Sequence, residues 1–571
     1  MRSMRLVAVA VLSCISGNVA GATPFENGDL LRTAGQQGRS KVDLDATFAS
    51  IAPTTPGCAV GVSIAGTAPV IRGYGLADLE HPVPITGDTV FETGSLAKQF
   101  TAAAILLLVQ DGKLALDDDI RRYLPEMPDY GAPITIRHLL THSSGLREQW
   151  SLLALTGNGP GAQVHSLSMI LDLASRQKGL NFTPGAEFLY TNTNYALAAI
   201  IIERASGTSL QRFTEKRLFQ PLGMNHSRWR EDFRTVVPGR AMAYASGSGG
   251  FIANMPFTNV YGNGGLLTTI ADLLRWNAFL DQPSDLPGGE ALVATLQTPG
   301  KLRNGTPVQY GLGLEMTHAH GLRLIGHSGS TAGYKAWTGR YPEKRISVVL
   351  LCNNGDVDPV KLGEGIAEQA LRAAGYIERK PMASASSPTT SPIHPAGLDT
   401  AQYQGLFRDP VTGELTATTV VDGQLMLQRG APQRLSPVGK DRFRRADGGM
   451  AQFVREEGKA VELTLGTDRD SRRFVAVAPA KADSGALDAY VGTYYSAELD
   501  RRISVARKGD GLVMRQPFAV EWPLTPRFAD GFTARLRGTS SFVFSRAPDG
   551  KIDGFSAWLN GARNIGFVRE R

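Results

Sequence analysis

The 571-residue sequence has little cysteine, little excess charge and no long hydrophobic run. Three cysteines are too few for a disulfide-rich scaffold or a cysteine metal site. The formal charge of +7 is small for this length and is spread along the chain, so it does not indicate a nucleic-acid-binding protein. No segment has the roughly 18 consecutive apolar residues of a membrane span. The composition, 42% hydrophobic and 20% charged, is ordinary for a folded protein. The length of 571 residues indicates several domains.

Residues 1–22 are predicted to be a signal peptide. Arg2 and Arg5 precede a short apolar stretch, and Ala20-Gly21-Ala22 has the small residues typical of a cleavage site. A periplasmic or secreted protein is therefore expected. An N-terminal membrane anchor, or a lipoprotein cleaved before Cys14, is the alternative.

Cys58 and Cys352 are the cysteines that remain after such a cleavage. Cys58 begins one strand-like run and Cys352 ends another. If the two strands are antiparallel neighbours, the sulfurs can form a disulfide in an oxidising compartment. Two separately buried thiols are the alternative, since cysteine is often buried.

Changes in composition divide the rest of the chain. Residues 23–379 mix strand-like and helix-like patterns and are predicted to form one large domain that contains both helices and strands. Residues 380–397, rich in Pro, Ser, Thr and Ala, are predicted to be a linker. Alternating apolar and polar residues follow the linker and indicate β-strands.

The part after the linker contains two copies of one pattern. The matching segments are Tyr403-x-Gly405-x-Phe407 with Tyr490-x-Gly492-x-Tyr494, and Phe453-x-Arg455 with Phe544-x-Arg546. A shared order with a period of about ninety residues predicts two copies of one small domain. Each copy is long enough to close as an antiparallel β-barrel, at residues 398–477 and 485–571.

Ser95-Leu-Ala-Lys98 is the first candidate catalytic motif. Positions three apart lie on one face of a helix, so the Lys98 amine can approach the Ser95 hydroxyl. Serine needs a nearby base, and lysine can serve once desolvation lowers its pKa. Gly94 precedes the motif at a predicted strand-to-helix corner, where free helix N–H groups can face a developing negative charge.

Tyr190-Thr-Asn192 is the second motif, directly before an apolar helical segment. A phenol near a lysine ammonium can be held partly as phenolate and transfer protons, and the Asn192 amide can orient lysine and substrate. An ordinary aromatic residue at the start of a helix is the alternative interpretation of Tyr190.

The third motif is His327-Ser-Gly329-Ser330 on a strand-like segment. Small residues at a strand edge let a substrate lie against the backbone. The Ser330 N–H is expected to join the Ser95 N–H in an oxyanion hole. A purely structural role is the alternative for His327.

These three motifs, in this order, resemble those of the serine β-lactamase and penicillin-binding-protein-like hydrolases. Further segments that look like family signatures are RHLLTHSSGL (Arg137–Leu146), FQPLGM (Phe219–Met224) and GNGGLLTT (Gly262–Thr269). The resemblance covers about residues 43–375. It implies a helix-flanked antiparallel sheet with a helical lobe, and an acyl-enzyme formed on Ser95.

The resemblance also implies roles for the motif residues. Lys98 and Tyr190 would share the proton transfers, Asn192, His327 and Gly329 would bind substrate, and Ser95 and Ser330 would donate to the oxyanion. His327 stands where β-lactamases usually have lysine. A histidine of ordinary pKa, about 6.5, is mostly neutral at pH 7 and anchors a substrate carboxylate poorly.

His-x-Gly at this position, together with two barrels, is similar to the D-aminopeptidases of the superfamily. That similarity implies removal of an N-terminal D-amino acid, with a barrel loop reaching the active site. The leading hypothesis is a secreted serine hydrolase that cleaves amides or esters of small molecules or short peptides, with D-amino-acid peptides first. A short-chain esterase, a β-lactamase and, from another class, a non-catalytic cell-wall-binding protein remain alternatives. No cofactor, metal or nucleic acid is expected, and the oligomeric state is open.

Overall fold

The computed structural model describes residues 42–159, 161–377, 399–429, 431–467, 470–480, 485–516 and 520–571. The predicted signal peptide and linker lie outside these residues. The boundaries predicted for the domains stay predictions. Within the described residues, no helix is both long and apolar enough to cross a bilayer.

Helices and short strands surround a central antiparallel sheet in the first domain, residues 42–377. Its strands are β1 (Cys58–Ile64), β2 (Val70–Tyr74), β3 (Leu76–Asp78), β4 (Val83–Pro84), β5 (Phe91–Glu92), β6 (Arg228–Trp229), β7 (Tyr244–Gly247), β8 (Gly250–Ala253), β9 (Leu266–Thr268), β10 (Glu315–Ala319), β11 (Leu322–Thr331), β12 (Tyr334–Tyr341) and β13 (Ile346–Cys352). Its helices are α1 (Leu44–Thr47), α2 (Lys98–Gln110), α3 (Ile136–Leu140), α4 (Gln149–Leu155), α5 (Leu167–Ser175), α6 (Asn192–Ser206), α7 (Leu210–Thr214), α8 (Ile270–Asp281), α9 (Gly289–Leu296) and α10 (Pro359–Ala373). The central sheet has the strand order β10-β11-β12-β13-β1-β2.

Both faces of the central sheet are covered, which explains the continuous apolar runs of β1 and β13. Val60 and Val62 on β1 face the core beneath α10, whereas Ala59 between them belongs to the core on the opposite face. Cys58 pairs with Cys352 across β1 and β13, and the two form a disulfide. The structure therefore confirms the disulfide and not the alternative of two separately buried thiols.

The long apolar helix α2 brings the first candidate catalytic motif into the interior. Its residues from Lys98 to Leu108 are buried, and it packs against α6 in the helical lobe. A short 3₁₀ turn, Gly94–Ala97, leads into it from β5. This turn contacts β11, so the central sheet and the helices α2 and α6 meet there.

Two closed eight-stranded antiparallel barrels follow the first domain. Barrel 1 consists of β14 (Gly405–Arg408), β15 (Leu415–Val421), β16 (Gln424–Gln428), β17 (Pro432–Gly439), β18 (Arg442–Arg445), β19 (Met450–Glu456), β20 (Lys459–Thr467) and β21 (Asp470–Ala476). Barrel 2 consists of β22 (Gly492–Ser496), β23 (Arg501–Lys508), β24 (Gly511–Gln516), β25 (Val520–Phe528), β26 (Gly531–Arg535), β27 (Thr539–Arg546), β28 (Ile552–Leu559) and β29 (Ala562–Arg569). An α+β domain followed by two β-barrels is the fold class that the sequence predicted.

The repeated sequence pattern forms the same polar cluster in each barrel. In barrel 1, Tyr403 Oη and Arg455 Nε donate to Asp441 Oδ1 at 2.8 and 2.6 Å. In barrel 2, Tyr490 Oη and Arg546 Nη2 donate to Asp530 Oδ1 at 2.7 and 2.6 Å. The sequence repeat thus preserves one internal tyrosine–aspartate–arginine arrangement.

The barrels differ in how they pack. Barrel 1 closes around a hydrophobic core of its own. The core of barrel 2 is continuous with the main core of the first domain. Barrel 1 packs against barrel 2, with the Arg408 guanidinium 4.2 Å from the ring centroid of Trp558. Among the described residues, no hydrogen bond or ion pair joins barrel 1 to the first domain.

Candidate active site

Ser95 lies half-buried in the turn that leads into α2. Gly94 before it has φ +55°, and a Cβ at this position would lie 2.6 Å from the Ser330 backbone nitrogen. A residue with a side chain would therefore force the turn away from β11. Glycine lets the Ser95 backbone and the Ser330 backbone approach each other.

The Lys98 amine is buried beside Ser95 and is held by two acceptors. Its Nζ lies 3.0 Å from Ser95 Oγ and donates to Asn192 Oδ1 at 2.9 Å and to the Asn263 carbonyl at 2.7 Å. A neutral amine has two N–H bonds and one lone pair. Because Asn192 and Asn263 take both N–H bonds, the lone pair is left for the Ser95 hydroxyl.

Burial lowers the pKa of Lys98 to about 7, against the raising effects of the carboxylates of Glu148 and Glu315. The charged form is disfavoured because the ammonium loses its hydration inside the protein. At neutral pH a large fraction of Lys98 is therefore the free amine that general-base chemistry requires.

Glu148 fixes the orientation of the Asn192 amide. The Glu148 carboxylate accepts hydrogen bonds from the Asn192 backbone N–H at 2.6 Å, from Asn192 Nδ2 at 3.1 Å and from Thr191 Oγ1 at 3.0 Å. A carboxylate only accepts, so the amide nitrogen must face Glu148 and the amide oxygen must face Lys98. Glu148 therefore acts on Lys98 through Asn192.

A turn of barrel 2 supports Glu148 from the other side. The Glu148 backbone N–H donates to the Gly561 carbonyl at 2.8 Å, and Ser151 Oγ donates to the Asn560 carbonyl at 2.6 Å. A Cβ on Gly561 would lie 2.6 Å from the Glu148 Cβ. Lys98 is thus linked to barrel 2 through Asn192, Glu148 and Gly561.

An ion pair fastens the same contact. Arg147 Nη1 donates to Glu498 Oε2 of barrel 2 at 2.8 Å, and the two side chains are 5% and 12% exposed. Arg147 Nη2 also donates to the Asn564 carbonyl at 3.2 Å. This buried pair holds barrel 2 at a fixed place beside the site.

Tyr190 packs above the lysine within an aromatic cluster. Its ring centroid lies 4.8 Å from Lys98 Nζ and 4.2 Å from the centroid of His142. Its buried hydroxyl has no well-formed hydrogen bond to the described residues. Burial raises the pKa of Tyr190, and the neighbouring Ser95 hydroxyl opposes this only in part. The prediction that Tyr190 is partly ionised is therefore wrong, because the raised pKa keeps Tyr190 a neutral phenol.

His327 is neutral and both its ring nitrogens are engaged. Nδ1 lies 2.5 Å from the Ser328 carbonyl, which can only accept, so Nδ1 carries the proton. Nε2 then accepts from the Tyr310 hydroxyl at 2.9 Å. Burial, helped by the charge of Lys98, lowers the pKa of His327 to about 3. His327 therefore supplies no cation to the cleft.

The strand register directs the Ser330 backbone N–H away from β12. Thr331 pairs with Tyr334 across a two-residue turn, and bonded and non-bonded pairs alternate along an antiparallel ladder. Ser330 opposite Lys335 is therefore a non-bonded pair. Pairing with β10 ends at Gly326, so this edge of β11 is open next to Ser95.

Two cavities formed by the described residues share Ser95 and Ser330. The first cavity, about 370 Å³, is lined by residues that include Asn192, Asn263, Trp150, Phe257 and, from barrel 2, Arg537. The second cavity, about 440 Å³, is lined by residues that include Tyr190, Glu315, His327, Gly329 and Lys335. A carbonyl bound at Ser95 therefore has room for a substituent on either side.

The family model for beta-lactamase matches residues 44–371, more than half of the chain. The chain belongs to the beta-lactamase family. This beta-lactamase-family protein is an enzyme, a serine hydrolase.

Relatives of the hydrolase match both the first domain and the barrels. A D-aminopeptidase from Brucella anthropi is 26% identical over 531 residues, covering 90% of this chain and 95% of the relative. Penicillin-binding protein 4* from Bacillus subtilis is 30% identical over 434 residues, covering 70% of this chain and 87% of the relative. The solved structure of an octameric penicillin-binding protein homologue from Pyrococcus abyssi matches with a TM-score of 0.51 at 25% identity. It covers 75% of this chain and 97% of that chain.

The structure brings every site residue predicted from the sequence into this one cleft of the serine hydrolase. The residues that the sequence did not single out are Glu148, Asn263, Tyr310, Glu315, Lys335 and Arg537. Asn263 lies within the signature segment Gly262–Thr269, and Glu148 follows two residues after the segment that ends at Leu146. Those two segments could have pointed to Asn263 and Glu148 as site residues. No local sequence pattern marks Arg537.

Proposed function

We propose that the protein hydrolyses amides or esters of small substrates through an acyl-enzyme on Ser95. The proposal depends on how the Lys98 amine is hydrogen-bonded beside Ser95. Its two N–H bonds are used by Asn192 and Asn263, and its lone pair is left for the Ser95 hydroxyl 3.0 Å away. A buried base with a pKa of about 7 beside a serine is the arrangement that nucleophilic catalysis requires.

In the acylation step, Ser95 Oγ attacks the substrate carbonyl carbon and its proton passes to Lys98 Nζ. The backbone N–H groups of Ser95 and Ser330 stabilise the oxyanion. The bond to the leaving nitrogen or oxygen then breaks, and the proton reaches that atom through Tyr190. Water adds to the acyl ester and releases the acid, which regenerates Ser95 and the neutral Lys98.

D-Amino-acid peptides are the first substrate class that we propose. Support comes from relatives named D-aminopeptidase that match about nine-tenths of the chain, barrels included. The neutral His327 supports it as well, because it does not offer the ammonium that β-lactamases usually have at this position to the carboxylate of a penicillin. Export by the predicted signal peptide is part of the proposal, and an exported protein should begin at Thr23 when its N-terminus is sequenced.

The test combines labelling with turnover. A neutral fluorophosphonate should label the wild type, and Ser95→Ala should abolish labelling and turnover. Ser330→Ala is the matched control, because it removes a cleft hydroxyl but keeps the backbone N–H. Labelling that survives Ser95→Ala would overturn the proposal.

A substrate panel separates the alternatives. It contains D- and L-aminoacyl p-nitroanilides, short p-nitrophenyl esters and a chromogenic cephalosporin. Preference for the D-anilides supports the proposed class, whereas faster turnover of the esters or the cephalosporin favours an esterase or a β-lactamase. Retention of cell-wall peptides without any turnover would favour the non-catalytic binding protein.

A further inference from the structure

Arg537 reaches the catalytic cleft from the tip of a hairpin of barrel 2. The hairpin joins β26 to β27, where Arg535 pairs with Thr539 and leaves a three-residue loop. Leu536 in this loop packs against the main hydrophobic core. That anchor holds Arg537 at the wall of the first cavity, which also contains Ser95.

Arg537 gives the first cavity a positive charge that no described residue of its lining neutralises. Among the described residues that line it, Glu92 is the only carboxylate. Glu92 is 1% exposed and already accepts from Arg230 at 2.8 Å and from Arg240 at 3.3 Å. Arg537 is exposed to solvent and has no ion-pair partner among the described residues. Its guanidinium is therefore available to a bound molecule.

The proposed reaction assigns one part of the substrate to each cavity. Tyr190, which delivers the proton to the leaving group, lines the second cavity. Asn192 lines the first cavity. The leaving group therefore lies in the second cavity, and the acyl group lies in the first cavity facing Arg537.

We propose that Arg537 binds a carboxylate on the acyl group of the substrate. This inference rests on the proposed function and narrows its substrate class to acyl groups with an acidic side chain, such as D-glutamyl or D-aspartyl. Guanidinium and carboxylate match in charge and in hydrogen-bond geometry. An acyl group whose only charge is an ammonium meets a like charge here and no free carboxylate.

The first experiment compares D-glutamyl and D-glutaminyl p-nitroanilides, which have nearly the same shape and differ in charge. The wild type should favour the glutamyl substrate in kcat/KM by about two- to fivefold, the scale of an exposed ion pair. Added salt should reduce the preference. Arg537→Ala should bring the ratio close to one, and Arg537→Glu should invert it.

Arg535→Ala is the matched control. Arg535 lies two residues away in the same hairpin, is exposed and does not line the cavity. This variant should keep the wild-type ratio. An Arg537→Ala ratio equal to that of the wild type would overturn the inference.

A second measurement does not depend on peptidase activity. 3-Carboxyphenylboronic acid and its neutral carboxamide analogue compete with fluorophosphonate labelling of Ser95. The carboxylate compound should compete better in the wild type and in Arg535→Ala, and equally well in Arg537→Ala. Equal competition in the wild type would overturn this inference alone, whereas failure of the wild type to label at Ser95 would overturn the proposed function as well.

Discussion

The two barrels share one internal plan and differ in what they touch. Each contains the same tyrosine–aspartate–arginine cluster, yet barrel 1 encloses its own core and barrel 2 extends the core of the first domain. Barrel 2 also supports Glu148 through Gly561 and places Arg537 in the cleft. The interior of each barrel therefore gives stability, whereas the turns of barrel 2 place residues beside the candidate active site.

The largest expected effect comes from truncating equivalent core aromatics. Phe544 in barrel 2 and Phe453 in barrel 1 are 4% and 3% exposed. Each change to alanine should cost about 3–5 kcal/mol of unfolding free energy in its own barrel. Phe544→Ala should also reduce turnover, because its core continues into the first domain, whereas Phe453→Ala should leave turnover unchanged. Denaturation curves followed by fluorescence and by activity check this. Equal loss of activity in both variants would contradict the comparison.

The next effect concerns the ion pair between barrel 2 and the first domain. Glu498→Gln leaves the buried Arg147 without its charged partner and should cost about 3 kcal/mol. The control is Glu462→Gln in barrel 1, whose partner Arg473 is 63% exposed, and it should cost at most about 1 kcal/mol. Thermal unfolding of both variants measures the difference. Similar melting temperatures of the two variants would show that the Arg147–Glu498 pair contributes no more to stability than an exposed ion pair.

A pair of turn glycines separates backbone strain from contact with the site. Gly561 has φ +75° and lies against Glu148, while Gly423 in barrel 1 has φ +74° and open space around it. Both changes to alanine should cost about 1 kcal/mol of backbone strain. Only Gly561→Ala should also reduce kcat/KM, because its methyl group displaces Glu148. The kcat/KM values of the two variants measure this difference. Full activity in Gly561→Ala would show that the Gly561 turn does not position Glu148.

The smallest effect is expected from Glu148→Gln. Its amide nitrogen opposes Asn192 Nδ2, so Asn192 loses the orientation that faces Lys98 and kcat/KM should fall about threefold. Glu148 raises the pKa of Lys98, so its removal should lower that pKa further and move the acid limb of kcat/KM to lower pH. The pH profile of kcat/KM for the variant measures both the fall in rate and the shift of the acid limb. An acid limb that moves to higher pH would show that Glu148 does not raise the pKa of Lys98.

Local sequence was enough for the residues whose chemistry lies within a motif. Ser95 and Lys98 are one helical turn apart, and the position of Tyr190 before α6 follows from the pattern around it. The protonation of Tyr190 did not follow, because it depends on burial by distant residues. Glu148 and Arg537 act through contacts between segments hundreds of residues apart, and those contacts exist only after barrel 2 has docked.

The pH dependence of Ser95 acylation shows whether the neutral Lys98 amine is the base that activates the serine. Below the pKa of about 7, Lys98 is protonated and has no lone pair for the Ser95 hydroxyl. The rate of labelling by a neutral fluorophosphonate should therefore rise with pH through an inflection near 7. Lys98→Met should abolish the rise, and Ser330→Ala should keep it. A wild-type rate that is constant between about pH 5 and 9 would contradict the account.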